Sequence, residues 1–310
     1  MSKKKTNVSL KDRFSDTFQR YPVLTTLVIV AILGGLIYAF TRHHNSGEAE
    51  VAVEEDVHVD DSLALNIMCI PTLESLPFYH ALESGMCDSL HLPLGIVTQY
   101  SQMDIDSIMR RTKTIDGAVM DTYRLAYYSK TNRAIPVRES IKLYGSWRLV
   151  TSNAQRVKDV DKLKKHIIAA SRFDTSSTLL EKILGGKKLG LSDIYLAQIN
   201  DFAIRANMLD ENQVDASILP EPYASLAVSR GHRAVWSDPL MQTMTLCFRT
   251  KVMDDKRKQE QIELLRRVYN MAVLDLNSHG THAADSALIK TYRLPKEVID
   301  TLRLPAYRPL

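Results

Sequence analysis

Cysteine is scarce in this chain, and its placement argues against covalent and metal chemistry. The three residues, Cys69, Cys87 and Cys247, are odd in number and lack metal-type spacing, so no disulfide framework is expected. Cys69 and Cys247 lie inside apolar runs and are predicted to be small buried hydrophobes. Catalytic signatures are missing as well: there is no G-x-S-x-G, no P-loop, no H-E-x-x-H and no G-x-G-x-x-G after a strand. His43 and His44 are adjacent and the other histidines are scattered singly, which suggests neither a metal site nor a triad. An excess of one charge is also lacking. The formal net charge is only +4 and no basic run is interleaved with aromatics, so no nucleic-acid partner is expected. Repeats of solenoid length and low-complexity tracts are absent. The expectation is a protein that is not an enzyme and carries no cofactor or metal.

What is present is an ordinary globular composition, 45% apolar and 25% charged over 310 residues, enough for one sizeable domain or two lobes. Residues 1–22 form a basic segment with Lys3, Lys4, Lys5, Lys11, Arg13 and Arg20 against Asp12 and Asp16. Residues 23–40 are then free of charge. At ~1.5 Å per residue a helix over this run reaches roughly 27 Å, enough for a bilayer core. Tyr21 and Tyr38 fall near its ends, where aromatic residues favour the interface. With the basic side first, the N-terminus is expected in the cytoplasm and everything after Phe40 outside. A cleaved signal peptide is the alternative. The apolar run is longer than a usual signal core, however, and Thr41-Arg42-His43-His44 offers no small-residue cleavage site. The reading is therefore an uncleaved, single-pass signal anchor. Residues 41–62 are an acidic tether, with Glu48, Glu50, Glu54, Glu55, Asp56, Asp60 and Asp61 and no apolar period.

From Leu63 onward the pattern alternates strand and helix. Strands are predicted at 65–70, 91–100 and 116–120, with helices at 76–83, 101–111 and 122–129, Asp121 capping the last. Successive βα units imply parallel strands with right-handed crossovers. Residues 141–144 and 147–151 read as two strands with a flexible joint at Gly145-Ser146. A second series follows: strand 167–170, polar turn 171–177, helix 178–184 with Thr178 and Glu181 at capping-box spacing, strand 194–199, and a helix over 201–209 capped by Asn200 or Asp201. Then Ala216 to Leu219 form a short apolar strand that Pro220 should end. Pro222 suits the first position of a helix over 223–230, and Gly231 is placed to terminate it. A further strand at 243–250 and an amphipathic helix at 259–276 complete the pattern.

The run from Val214 to Ala227, VDASILPEPYASLA, resembles a segment of ABC-transporter substrate-binding proteins of the alkanesulfonate, nitrate and thiamine-precursor type. Ile70 to Met86, IPTLESLPFYHALESGM, is similar to the first strand, ligand loop and helix of that family. The resemblance covers about residues 63–305. It implies an α/β, two-lobed type II periplasmic-binding-protein fold, two parallel-type sheets flanked by helices and hinged, here preceded by one transmembrane helix. Lobe 1 would span 63–142 and 243–310, and lobe 2 146–238. If one continuous sheet runs through both series, the hinged-binder reading fails. No cysteine lies just after the apolar run, so the lipid anchor common in the family is not expected.

The resemblance implies a small-molecule ligand, an ABC permease with its ATPase as partners, a monomer, and a binding domain in the periplasm tethered to the inner membrane. The polar turn with Asp174, Ser176, Ser177 and Thr178 feeds a helix start, where N–H groups and the helix dipole suit an anion. Helix capping alone is the plainer reading of the same residues. The facing wall is predicted from Thr72, Glu74 and Ser75 after the first strand and from Asp121 and Thr122 after the third. Asn200, Glu221 and Tyr223 follow strands of the second series. Trp147, beside the joint, is placed either to stack on a ring or to cover the core while exposed. Two acids, Glu74 and Glu221, disfavour a plain anion and favour a ligand with donors or positive charge, with Arg148 and Arg172 able to offset them. Two alternatives stand beside transport: an enzyme of the menaquinone-route type on the same fold, which needs no export, and a non-transport sensor or assembly module.

Overall fold

Parallel strands with buried faces need helices on both sides, and the βα units deliver this. The computed structural model describes residues 63–131, 134–155 and 157–310, so the basic segment, the apolar run at 23–40 and the acidic tether lie outside the described residues. Its elements in order are β1 (Leu65–Cys69), α1 (Leu76–Glu83), β2 (Leu94–Thr98), α2 (Gln102–Arg111), β3 (Gly117–Asp121), α3 (Thr122–Ser129) and β4 (Val137–Thr151). There follow β5 (Ile167–Ala170), α4 (Thr175–Gly185), β6 (Tyr195–Gln198), α5 (Phe202–Asp210), β7 (Ala216–Pro220), α6 (Tyr223–Ser229), β8 (Arg233–Arg249) and α7 (Lys256–His279). Short helices at Asp285–Lys290 and Lys296–Thr301 end the fold.

The sheet has eight strands in the order β2-β1-β3-β8-β4-β7-β5-β6. Strand β1 is parallel to β2 and β3, and β5 is parallel to β6 and β7. Antiparallel β8 flanks β3 and antiparallel β4 flanks β7. Each half thus repeats one order, second-first-third and then an antiparallel strand contributed by the other series. The expectation of two separate sheets is corrected here. Gly145-Ser146 does not break the chain into two strands: β4 runs through it and pairs with β8 from Val137↔Arg249 to Thr151↔Arg233. Irregularities at Leu143/Tyr144 and Gly145/Trp147 absorb the change of direction, as bulges do. The sheet is therefore continuous, against the expectation for a hinged pair. In strand terms, its halves are joined through the two-stranded β4–β8 ribbon.

Several elements follow their local signals. Helix α1 keeps its predicted bounds, and Ser101, Asp121 and Asp201 cap α2, α3 and α5 by accepting backbone N–H groups. Gly231 adopts φ 93° after α6, a conformation that costs glycine little. Helix α4 begins earlier than predicted, because Asp174 and Ser177, not Thr178 and Glu181, form the capping pair. All three cysteines are buried and free. The core stripe of α7, from Ile262 through Leu265, Val268, Tyr269, Ala272 and Val273 to Leu276, is buried. Each fully covered large apolar side chain there contributes ~1.5–3 kcal/mol. The ring of Tyr269 lies 5.3 Å from that of Phe78 on α1, and His80 Nε2 sits 2.7 Å from Asp275 Oδ2. Among the described residues no helix is long and apolar enough to cross a membrane.

Candidate functional site

In an open α/β sheet, ligands sit at the carboxyl ends of strands where the strand order reverses. In this chain that point falls between β1 and β3 in one half and between β5 and β7 in the other. The loops concerned are 70–75 with 121–122, and 171–175 with 221–223. They meet one another. The Leu73 N–H donates to the Glu221 carbonyl at 3.0 Å, and the Thr175 N–H donates to Asp121 Oδ2 at 2.9 Å. Arg124 Nη1 donates to the Arg172 carbonyl at 3.2 Å. The two reversal points therefore face each other, β1 loop to β7 loop and β3 loop to β5 loop.

The first contact is built around two buried acids. Glu74, 1% exposed, accepts from Thr243 Oγ1 at 2.7 Å. Burial pushes its pKa up, and the Thr243 hydroxyl chiefly offsets this, helped by Thr72 and the Trp147 N–H nearby. Gly145 makes room for it: a Cβ there would lie 2.0 Å from Glu74 Oε1, so a side chain at this position would displace the carboxylate. Glu221, 3% exposed, pairs with Arg148 Nη2 at 2.7 Å and accepts from the Ser225 N–H at 3.0 Å. Thr72 Oγ1, Glu74 Oε2, Ser75 Oγ and Trp147 Nε1 are buried without a well-formed hydrogen bond. Such atoms are uncommon in folded proteins, and a cluster of them marks a place where a polar partner fits.

The second contact is denser. Asp174 Oδ1 accepts from the Ser176 hydroxyl at 2.7 Å and from the Ser177 N–H at 3.2 Å, and Oδ2 accepts from the Ser171 hydroxyl. Ser176 Oγ in turn accepts from the Ser171 N–H at 2.9 Å, and Thr178 Oγ1 donates to the Asp174 carbonyl at 3.0 Å. Asp121 accepts from the Arg124 N–H with its other oxygen. Burial, reinforced by the Asp174 charge, raises the Asp121 pKa to about 7. Beneath both acids lies Arg205, wholly buried, donating to the carbonyls of Ile199 at 2.7 Å and Ile218 at 3.0 Å, with Nη2 4.0 Å from Asp174. Burial lowers its pKa to about 10, and Asp174 opposes that shift.

The remaining predicted residues divide. Tyr223 is buried beside Phe202, with ring centroids 5.9 Å apart, and burial raises its pKa. Trp147 is fully buried and edge-on to Phe202 at 5.5 Å, so it is not an exposed cover. Asn200 stands apart, donating to Met103 Sδ at 3.1 Å in an exposed position. Thr122 is partly buried. A cavity of about 730 Å³ opens on the second contact, with Ser177 and Thr178 in its lining. It lies between α3 and the β5 loop, and its lining includes Tyr123, Tyr127, Lys130, Arg172 and Phe173. The rings of Tyr127 and Phe173 stack there at 4.1 Å. Convergent polar groups stand in the loop cluster and the adjoining cavity supplies volume, the two things that a binding site combines. Among the described residues no group of three or more His, Cys, Asp or Glu is arranged to hold a metal ion.

No protein-family model matches the chain, and no curated protein matches it. Solved structures do. The chain is similar to the periplasmic aliphatic sulphonate binding protein SsuA from Escherichia coli, at 17% identity and TM-score 0.61, over 80% of each chain. It is similar to the periplasmic nitrate-binding protein NrtA from Synechocystis PCC 6803 at 13% identity and TM-score 0.66, over 80% of this chain and 73% of that one. A third is a ligand-binding component of an ABC-type import system from Staphylococcus aureus, at 13% identity and TM-score 0.62, over 77% and 82%. At such identities the likeness establishes the fold: α/β, two-lobed, of the type II periplasmic-binding kind. These neighbours are binding proteins, not enzymes.

Sequence reasoning missed three supports of the site. Tyr292 and Tyr307 donate their hydroxyls to the carbonyls of Thr72 and Leu73, at 2.7 and 2.8 Å, and so fix the β1 loop from the C-terminal segment. Arg205 was the third. Its place within the run Phe202-Ala203-Ile204-Arg205-Ala206 was a usable signal, since a charge on an apolar helix face needs buried partners.

Proposed function

We propose that the protein is a membrane-anchored, extracytoplasmic solute-binding protein. It takes a small molecule between two lobes, 63–142 with 243–310 and 146–238, and delivers it to an ABC permease driven by its ATPase. The observation that carries this reading is the facing of two strand-order reversal points across a buried cluster of incompletely paired polar groups. The ligand is held by Thr72, Glu74, Ser75 and the Trp147 N–H on one side and by Glu221 and Tyr223 on the other. Asp121, Thr122, Asp174, Ser176, Ser177 and Thr178 form the second flank, from which Asn200, expected there, stands apart. The likeness to an ABC import component supports the permease partnership. The uncharged run at 23–40 and the basic segment before it support a single inner-membrane span with the binding domain in the periplasm, acting as a monomer. One observation favours a second reading, a non-transport module. The Leu73–Glu221 backbone bond and the continuous sheet tie the halves together without a ligand.

Reporter fusions after Leu310 test the topology. An exported reporter is expected to be active and a cytoplasmic one inactive. The reverse pattern would remove the localisation and with it the delivery role.

A further inference from the structure

The start of a helix of α4's length carries N–H groups and a positive dipole end, and here it follows the carboxyl end of β5. In this chain that position is taken. Asp121 reaches across from the β3 loop and accepts from the Thr175 N–H at 2.9 Å, while Asp174 takes the Ser177 N–H and the hydroxyls of Ser171 and Ser176. A second observation marks the place as suited to negative charge. Arg205, wholly buried, keeps Nη2 without a hydrogen bond 4.0 Å from Asp174. A free oxoanion entering there meets two carboxyl groups already using the donors. The other flank repeats the pattern, with Glu74 and Glu221 both buried and Arg148 as the paired cation.

We propose that Asp121 fills from within the position an oxoanion would occupy at the start of α4. The cleft is thereby closed to sulfonates, nitrate and phosphonates and left for a neutral or cationic molecule rich in hydrogen-bond donors. The ligand class rests on the solute-binding reading; the occupancy by Asp121 does not. Three features set the specificity: the length of Asp121, which spans the two halves; its anchoring by the Arg124 N–H at 2.9 Å; and the carboxyl of Asp174 beside it.

The test uses the full chain in detergent at pH 8, at constant ionic strength, with nitrate, formate and methanesulfonate as probes. The unchanged protein is expected to show no saturable rise in melting temperature with any of them. Asp121→Ala vacates the position, so formate and nitrate are expected to stabilise it saturably, with affinity roughly tenfold or more above the unchanged chain. Asp121→Asn keeps the position filled and is expected to stay unresponsive. If Asp121→Ala folds only when formate is present, the proposal holds in the same way. Saturable binding of nitrate or methanesulfonate by the unchanged chain overturns it, and so does an Asp121→Ala protein that ignores both small anions or that they fail to fold. Rescue of the variant with no neutral or cationic solute bound by the unchanged chain would sink the solute-binding reading and leave the occupancy standing.

Discussion

Replacing Arg205 with leucine is expected to cost about 3–5 kcal/mol of stability, the range for breaking a buried charge network from one side. The guanidinium is wholly buried and stands over the Phe202 ring at 5.0 Å. It satisfies the carbonyls of Ile199 and Ile218 and faces Asp174 at 4.0 Å. Leucine fills part of the volume but leaves two buried carbonyls without this donor and removes a countercharge from Asp174 and Asp121. Arg205→Lys is expected to recover little, since an ammonium cannot reproduce the planar fork that spans both carbonyls. Urea denaturation of the three proteins measures this. A loss below about 1 kcal/mol for leucine would mean that the aspartates do not depend on the guanidinium.

The second large effect is on pH dependence. The folded pKa of Asp121 is raised from 3.8 to about 7, so between these values the folded chain binds more protons than the unfolded one. Stability then falls as pH rises. The contribution is intact below about 4 and lost as pH passes through about 7, and at ~1.4 kcal/mol per unit it amounts to a few kcal/mol. The groups acting on Asp121 beside burial are Asp174, which raises its pKa, the Thr175 hydroxyl and the N–H groups of Thr175 and Arg124, which lower it, and Arg205 beneath. Glu74, Asp106 and Asp201 are shifted upward by burial and act in the same direction. Glu83 and Asp275 are shifted downward, so their contribution is lost only on acidification below the carboxylate range. Comparing the unchanged chain with Asp121→Asn between pH 5 and 8 reports on Asp121 together with its coupling to Asp174, since removing one charge also acts on the other carboxyl. The unchanged protein should lose more stability over this interval, by a few kcal/mol. Parallel profiles would show that Asp121 titrates as an ordinary carboxyl.

Much of the framework was legible in local signals. Caps at Ser101, Asp121 and Asp201, the glycine stop at 231 and the apolar runs of β1, β5 and β7 each depend on residues close in sequence. What escaped depends on distant partners. Gly145 reads as a break, yet β8, about a hundred residues away, holds β4 together across it. Residues 233–242 lack strand alternation, but pairing with β4 makes them half of β8. Thr178 and Glu181 had valid capping spacing. Asp174 took the role because its carboxylate also accepts the Ser171 and Ser176 hydroxyls. The loops of the proposed site were expected at the carboxyl ends of predicted strands and from the resemblance, whereas the mate of Asp121 lies 54 residues along the chain, beyond any local pattern.

The central claim is that a small molecule binds between the β1 and β7 loops. Calorimetry on the full chain tests it most directly, using the neutral or cationic solute that gives the largest thermal shift, beside Glu221→Ala. The account predicts saturable binding to the unchanged chain and an affinity roughly ten- to hundredfold weaker in the variant, as for a lost charged hydrogen-bond partner at ~1.5–3 kcal/mol. Equal affinity in both proteins, with the variant merely less stable, would contradict it.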